Sequence, residues 1–201
     1  RGTAVTSFTV KDYVTSIGAY ALAGYDAREL FPDAYRPTPE QEAAAKGKLE
    51  TLVFEGTSQL TYIGVGAFAY TKLTAFALPD TVKTIDEMAF YDADGLASFT
   101  VNAESALQTI GVYALAGTAV GEIFIPGNVE RIYPRAFYGS ALGKITFAQD
   151  GEKDLYIGEY VPYVTSDGYS SDYYGEVFAR TPLVTVNFPA RLKELGGSSF
   201  Y

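Results

Sequence analysis

The sequence predicts an α/β repeat solenoid, about seven coils stacked on a parallel β-sheet with short helical turns opposite. Two recurring patterns and one recurring distance point to it. The first pattern is an Ile followed, four and five positions on, by a small and then a large apolar residue: Ile17 with Ala21-Leu22, Ile63 with Ala67-Phe68, Ile85 with Ala89-Phe90, Ile110 with Ala114-Leu115, and Ile132 with Ala136-Phe137. The second is a run with apolar residues at its first, fourth and sixth positions, as in Leu49, Leu52 and Phe54, or Leu73, Phe76 and Leu78. The distance is that between the middle residues Leu52, Phe76, Phe99, Ile123 and Ile145, which recur about 22 to 24 residues apart.

Each element of a coil follows from these patterns. The last two apolar positions of the second pattern alternate, as the single buried face of a strand requires, and the run recurs at Val5, Leu96, Val120, Leu142 and Leu183. Pro79, Pro126 and Pro189 directly follow three of these strands, where a missing N–H does least harm and a turn gains from a fixed φ. A second apolar pair then leads into the next unit as a shorter extended segment: Val14 and Ile17, Leu60 and Ile63, Val82 and Ile85, Leu107 and Ile110, Val129 and Ile132. The small-large pair closes the coil as about one turn of helix. No coil buries its own apolar face, so stacking makes the core, with Phe90 and Phe137 as buried pegs.

The succession Ile-Gly-x-x-Ala-Phe, Leu-x-x-Ile-x-Leu-Pro and a Val-x-x-Ile lead resembles the BspA-type leucine-rich repeats of bacterial cell-surface proteins. Apart from two insertions the resemblance covers almost the whole chain. It implies a right-handed leucine-rich-repeat stack at a cell surface or in the extracellular space, the hand being the one general to crossovers between parallel strands. Where that family often places a Cys three residues after the Phe, this chain has Thr71, Ala93, Thr118, Ser140 and Thr181, all small, as a tight internal position demands.

The repeat disposes of one motif. Gly64-Val65-Gly66 followed by Ala69 has the outline of a dinucleotide-binding turn, but the repeat equivalents of Gly66 are Met88, Tyr113 and Arg135, which no phosphate turn accepts. On this reading Gly66→Ala is expected to be nearly harmless. Composition narrows the function further. The 201 residues carry 15 basic and 24 acidic side chains, a net charge of −9, with no basic run for a nucleic-acid backbone to meet. The chain has neither Cys nor His, which removes disulfides, thiolate chemistry and the usual base of a serine triad. No apolar run reaches the length of a membrane span. The start at Arg1 and the end in "LGGSSFY", midway through a unit, suggest a fragment of a longer protein forming one domain over 1–201.

Two insertions, at about 25–46 and 159–176, break the period and are expected to leave the stack as surface loops. The first contains "RPTPEQEAAAKGK", where Thr38, Pro39 and Gln41 form a helix start and Gly47 an end. The second, "EYVPYVTSDGYSSDYYGE", sets five tyrosines among Ser, Asp and Gly. It reads either as a self-packed loop or as an interaction loop, since Tyr offers broad contact area with a polar tip. In the interaction reading Tyr169, Tyr173, Tyr174, Asp167 and Asp172 contact the ligand, while Tyr160 and Tyr163, nearer Val161 and Val164, pack down. The outward strand face (Ala75, Ala77, Ser98, Thr100) is small and neutral, so Phe124 is its one recognition group. Asp92-Ala93-Asp94-Gly95 and Asp150-Gly151-Glu152 offer oxygen ligands but continue into no calcium-loop pattern, and solvated turn carboxylates are expected. The expected function is a non-catalytic binding or adhesion module for a protein or glycan ligand, with no cofactor and no metal. A structural spacer carrying another domain, and a carbohydrate-active enzyme using paired carboxylates, are the alternatives.

Overall fold

A computed structural model describes residues 5–24, 47–164 and 170–201. The strands in chain order are β1 (Ser7–Val10), β2 (Ser16–Ile17), β3 (Thr51–Phe54), β4 (Tyr62–Ile63), β5 (Ala75–Ala77), β6 (Thr84–Ile85), β7 (Ser98–Thr100) and β8 (Thr109–Ile110). They continue with β9 (Glu122–Ile125), β10 (Arg131–Ile132), β11 (Lys144–Phe147), β12 (Leu155–Ile157), β13 (Val161–Val164), β14 (Ser170–Tyr173) and β15 (Leu192–Leu195). The expected insertion helix around Thr38 lies outside the described residues.

The continuous sheet is not the one the sequence suggests. Seven short parallel strands, in the order β2-β4-β6-β8-β10-β12-β15, form it, and they are the brief extended segments that lead into each unit. The Leu-x-x-φ-x-φ runs instead pair only two by two, as β1-β3, β5-β7 and β9-β11, and the run from Leu183 to Phe188 forms no strand. Hydrogen bonding shows why the short segments stack without interruption. The amide following each segment's Ile donates to the equivalent Ile carbonyl one coil earlier, Gly64 to Ile17 at 2.8 Å, Asp86 to Ile63 at 2.9 Å and Gly111 to Ile85 at 2.8 Å, and in the last coil Gly196, after the exposed Leu195, donates to Ile157 at 2.7 Å. In three coils a proline closes the turn, Val82, Val129 and Leu192 donating to the carbonyls of Pro79, Pro126 and Pro189, and in the first coil Val14 makes the same bond to Lys11 at 3.1 Å. In β5 and β7 the expected alternation holds, with Phe76 buried between exposed Ala75 and Ala77 and Ala75-Phe76-Ala77 in register with Ser98-Phe99-Thr100, whereas in β1 it fails, since Phe8, expected inward, is exposed.

The small-large turns contain no α-helix among the described residues. Their amides divide between two tasks. In one coil Ala67, Ala69 and Thr71 donate three residues back, to Gly64, Gly66 and Phe68, at 3.1 to 3.4 Å. The intervening Gly66, Phe68 and Tyr70 donate to Glu87, Ala89 and Tyr91 of the next coil, at 2.7 to 2.9 Å. Aiming every second N–H out of the coil requires a left-handed residue at regular steps, and φ is +59° at Gly66, +57° at Tyr70, +55° at Met88, +54° at Asp92 and Tyr113, and +59° at Arg135. A helix would return its amides to its own segment and leave successive turns unjoined. Each left-handed non-Gly residue costs about 1 to 2 kcal/mol, offset by the hydrogen bond and burial it permits.

The core runs the length of the stack. Phe68, Phe90, Phe137 and Phe178 are fully buried, as the repeat requires. Phe68 stacks on Phe90 with centroids 5.0 Å apart, and Phe76 on Phe99 at 5.5 Å, while Phe76 meets Phe90 edge-on at 4.8 Å. The small position after each Phe is internal, and its hydroxyl is satisfied locally. Thr71, Thr118, Ser140 and Thr181 donate to the carbonyls of Phe68, Leu115, Phe137 and Phe178 at 2.7 to 2.9 Å.

The structure overturns the expectation for Gly66. A Cβ there would lie 2.4 Å from the Tyr20 ring, which covers the glycine from the preceding coil. Gly66→Ala is therefore expected to lower the melting temperature, through a left-handed Ala and a displaced ring together costing about 1 to 2 kcal/mol; an unchanged transition would contradict this packing. Phe90→Ala and Phe137→Ala are each expected to cost roughly 3 to 5 kcal/mol in denaturant unfolding, and losses under 1 kcal/mol would contradict the repeat register.

Candidate functional site

The second insertion leaves and rejoins the stack through one narrow base. Gly175 donates to the Gly158 carbonyl at 3.2 Å, and its own carbonyl accepts the Arg135 N–H at 3.0 Å, so the regular turn resumes at once. Only glycine fits there, since a Cβ on Gly175 would fall 1.6 Å from the Gly197 carbonyl oxygen and one on Gly158 would fall 2.9 Å from the Gly175 Cα. Above this base, β13 and β14 form an antiparallel hairpin with Val161 opposite Tyr173 and Pro162 opposite Asp172. Pro162 suits a two-stranded edge, where no further ladder needs its missing N–H.

The predicted contact residues fall into three groups. Tyr174, 57% exposed, stands at the hairpin base with its ring 5.2 Å from that of Tyr160. Tyr173 and Asp172 belong to β14. Tyr169 and Asp167 lie outside the described residues. Tyr160 departs from expectation: it is 47% exposed rather than packed down, because it pairs with Tyr174 instead of the apolar coil. Phe124 is not part of this region. With Phe99, Thr100, Asn102, Glu122 and Thr146 it lines a separate depression of about 370 Å³, where β7 and β9 adjoin without a ladder. The Lys144–Glu122 pair beside it, at 3.5 Å with both side chains mostly in solvent, adds little.

Next to the hairpin base a groove of about 420 Å³ opens on the outward face of the long sheet. Asp86, Glu87, Thr109, Gly111, Val112, Arg131, Tyr133, Glu159 and Tyr160 line it. Gly111 lets this coil approach the one before it closely, since a Cβ there would lie 2.6 Å from the Asp86 carbonyl carbon and the Glu87 nitrogen. Asp86 accepts the Tyr62 hydroxyl, and the Glu87 N–H at 2.7 Å. That bond holds the Tyr62 proton and pushes its pKa up to about 12. Arg131 is engaged from two sides, with Nε 3.2 Å from Glu159 Oε2 and the guanidinium 5.4 Å over the Tyr156 ring. Glu87 is the perturbed group. Burial first, and the neighbouring Asp86 second, push its carboxyl up to about 7.

The sequence reading missed Glu87, although a signal was present. Its column one coil either way holds Val65 and Val112, with Ala19 and Pro134 beyond, so an acid stands in an otherwise apolar file. A second feature also went unread. Tyr70, Tyr91, Tyr113 and Tyr138 form an edge-to-face row at 5.7 to 6.1 Å, and Arg135 bridges it by donating to the Tyr113 hydroxyl at 2.5 Å and ion-pairing with Glu176. The row draws on three different repeat positions, which hides it from a fixed-period search. No group of three or more His, Cys, Asp or Glu arranged to hold a metal ion occurs among the described residues, and no described helix is long and apolar enough to cross a membrane.

Stacked parallel coils of this length and pattern define a leucine-rich-repeat protein. The model of the BspA type leucine-rich-repeat region matches residues 40–161 in six copies, and the chain belongs to that family. Among solved structures, the pneumococcal vaccine antigen PcpA superposes with a TM-score of 0.62 at 18% identity, covering 97% of this chain and 42% of PcpA. This chain thus spans less than half of that protein, and at such identity the likeness concerns the fold. A leucine-rich repeat protein from Bacteroides ovatus ATCC 8483 aligns at 15% identity over 93% of this chain and 67% of its own, with a TM-score of 0.36. No curated protein sequence matches.

The Glu87 carboxyl gives a pH test. Its folded pKa is raised above the unfolded value, so the folded state binds the extra proton and stability falls as pH rises through that window. Glu87→Gln is expected to match the parent's melting temperature near pH 4, below the unfolded pKa, and to exceed it above pH 7. A pH-independent difference between the two would remove the buried-acid assignment.

Proposed function

We propose that this chain is a protein-binding module displayed at a bacterial cell surface, engaging its partner through the hairpin and the adjoining groove. The coils wind in the right-handed sense general to parallel crossovers. Membership of the BspA-type family supports surface display, as does the vaccine-antigen neighbour. One observation carries the choice of face: a hairpin held at a glycine-locked base, with the half-exposed Tyr160 and Tyr174 rings beside a groove that the regular coils do not repeat. Tyrosines fixed in this way offer contact area at little further cost in side-chain entropy.

The module is non-catalytic in this reading. A carboxyl held near neutral pH is also what a general acid requires, so the decisive experiment must watch for turnover. The spacer reading draws on the small outward side chains of Ala75, Ala77, Ser98 and Thr100, which offer a partner little to grip. The 201-residue chain is applied to an array of secreted and surface proteins and of glycans, beside a Tyr160→Ala/Tyr174→Ala variant. Saturable binding to a protein, weakened at least ten-fold in a double variant of unchanged melting temperature, is the expected result. Silence across the array would favour the spacer, binding to glycans alone would change the ligand class, and glycan hydrolysis abolished by Glu87→Gln would make the protein an enzyme.

A further inference from the structure

Glu87 contributes the same backbone bonds as its repeat equivalents, its carbonyl accepting the Gly66 N–H at 2.9 Å just as the Val112 carbonyl accepts that of Met88 at 2.8 Å. Stacking therefore asks nothing of its carboxylate, and Val65 and Val112 show that an apolar side chain suits the position. The side chain is half-buried, with no hydrogen bond or ion pair among the described residues, at the wall of the open groove. A carboxylate left in that state is expensive unless something arrives to pair with it.

The other charges around it are accounted for. Asp86, on the same turn, is tied to the Tyr62 hydroxyl of β4. Arg131, on β10, is neutralised by Glu159 and covered on one side by Tyr156. Three carboxylates thus face one guanidinium, on a chain whose net charge is −9. Tyr133 and Tyr160 supply aromatic walls of the kind a cation favours.

We propose that the groove is a socket for one lysine or arginine side chain presented by an extended segment of a protein partner, with Glu87 as the carboxylate that receives the cation. The inference rests on the reading of the chain as a protein-binding module and names the chemistry its partner must bring. An anionic group finds no receptor here, because the one guanidinium is already paired. Binding is linked to protons. Below the raised pKa of Glu87 the socket is partly neutral, and an arriving cation must displace the proton, so affinity grows as pH rises from 6 to 8.

The test uses the 201-residue protein and a blocked pentapeptide, Ser-Gly-Arg-Gly-Ser, with its citrulline counterpart, which keeps the shape of arginine and lacks the charge. Amide shifts are mapped by NMR at pH 8 and pH 6. Saturable shifts centred on Thr109, Gly111 and Tyr133 are expected with the arginine peptide, at least ten-fold weaker with citrulline, at pH 6, and in Glu87→Gln. Equal binding of citrulline, shifts scattered over the surface, or unchanged binding in a folded Glu87→Gln variant would overturn the socket. A peptide that fills the groove while the array stays silent would leave the socket standing and sink the module reading; an array partner whose affinity survives Glu87→Gln would do the reverse.

Discussion

The hydrogen bond that alternate turn amides send to the next coil, as from Phe68 N–H to the Ala89 carbonyl at 2.7 Å, is what the rest of the structure depends on. A turn that satisfied its own amides would become a helix end, free to sit at any distance from its neighbour. Sharing them fixes one coil to the next at backbone spacing, and the same spacing brings Phe68 onto Phe90 and Ile63 into register with Ile85. The left-handed residues are the strain this arrangement carries. They recur at equivalent positions whatever the side chain, Met88, Tyr113 and Arg135 among them, so the stack rather than the local sequence imposes them.

A surface built by such repetition is uniform, and function concentrates where the repetition fails. The hairpin is admitted at Gly158 and Gly175, two positions with no side chain to block the return of the strand. The groove lies where Glu159 and Tyr160 of the insertion stand beside Asp86, Glu87 and Gly111. Both departures lie on the face of the seven-stranded sheet, with Tyr160 belonging to each. The depression at Phe124 has a different origin, the missing ladder between β7 and β9, and stays apart from them.

Much of the fold was legible because the core residues repeat by type. The Ala-Phe pairs and the prolines closing turns could be placed from spacing, and the small internal residues behind them from the family resemblance. The turn itself could not, because a helical turn and a left-handed stacked turn bury the same small-large pair; they differ in where the amides go, which no side chain records. Sheet continuity was misjudged for a related reason. The longer runs such as Leu73 to Leu78 look like better strands, yet unbroken pairing follows the short segments whose following amides bond the Ile carbonyl one coil earlier. At the site, the tyrosines of the hairpin drew attention by composition, whereas Glu87 shows itself only when its column is compared with Val65 and Val112. Its partial burial, and its lack of a partner among the described residues, are properties of the stack.

Hydrogen exchange resolved at single amides tests the central claim most directly. If the coils are joined through shared turns, protection alternates along each one: Gly66, Phe68 and Tyr70 exchange slowly, while Ala67, Ala69 and Thr71, with their longer bonds within the coil, exchange faster. The same alternation recurs at Met88, Phe90 and Asp92. Uniform protection across residues 66–71, or slow exchange confined to the two-residue strands, would show that the turns close on themselves and that the coils are held by the sheet alone.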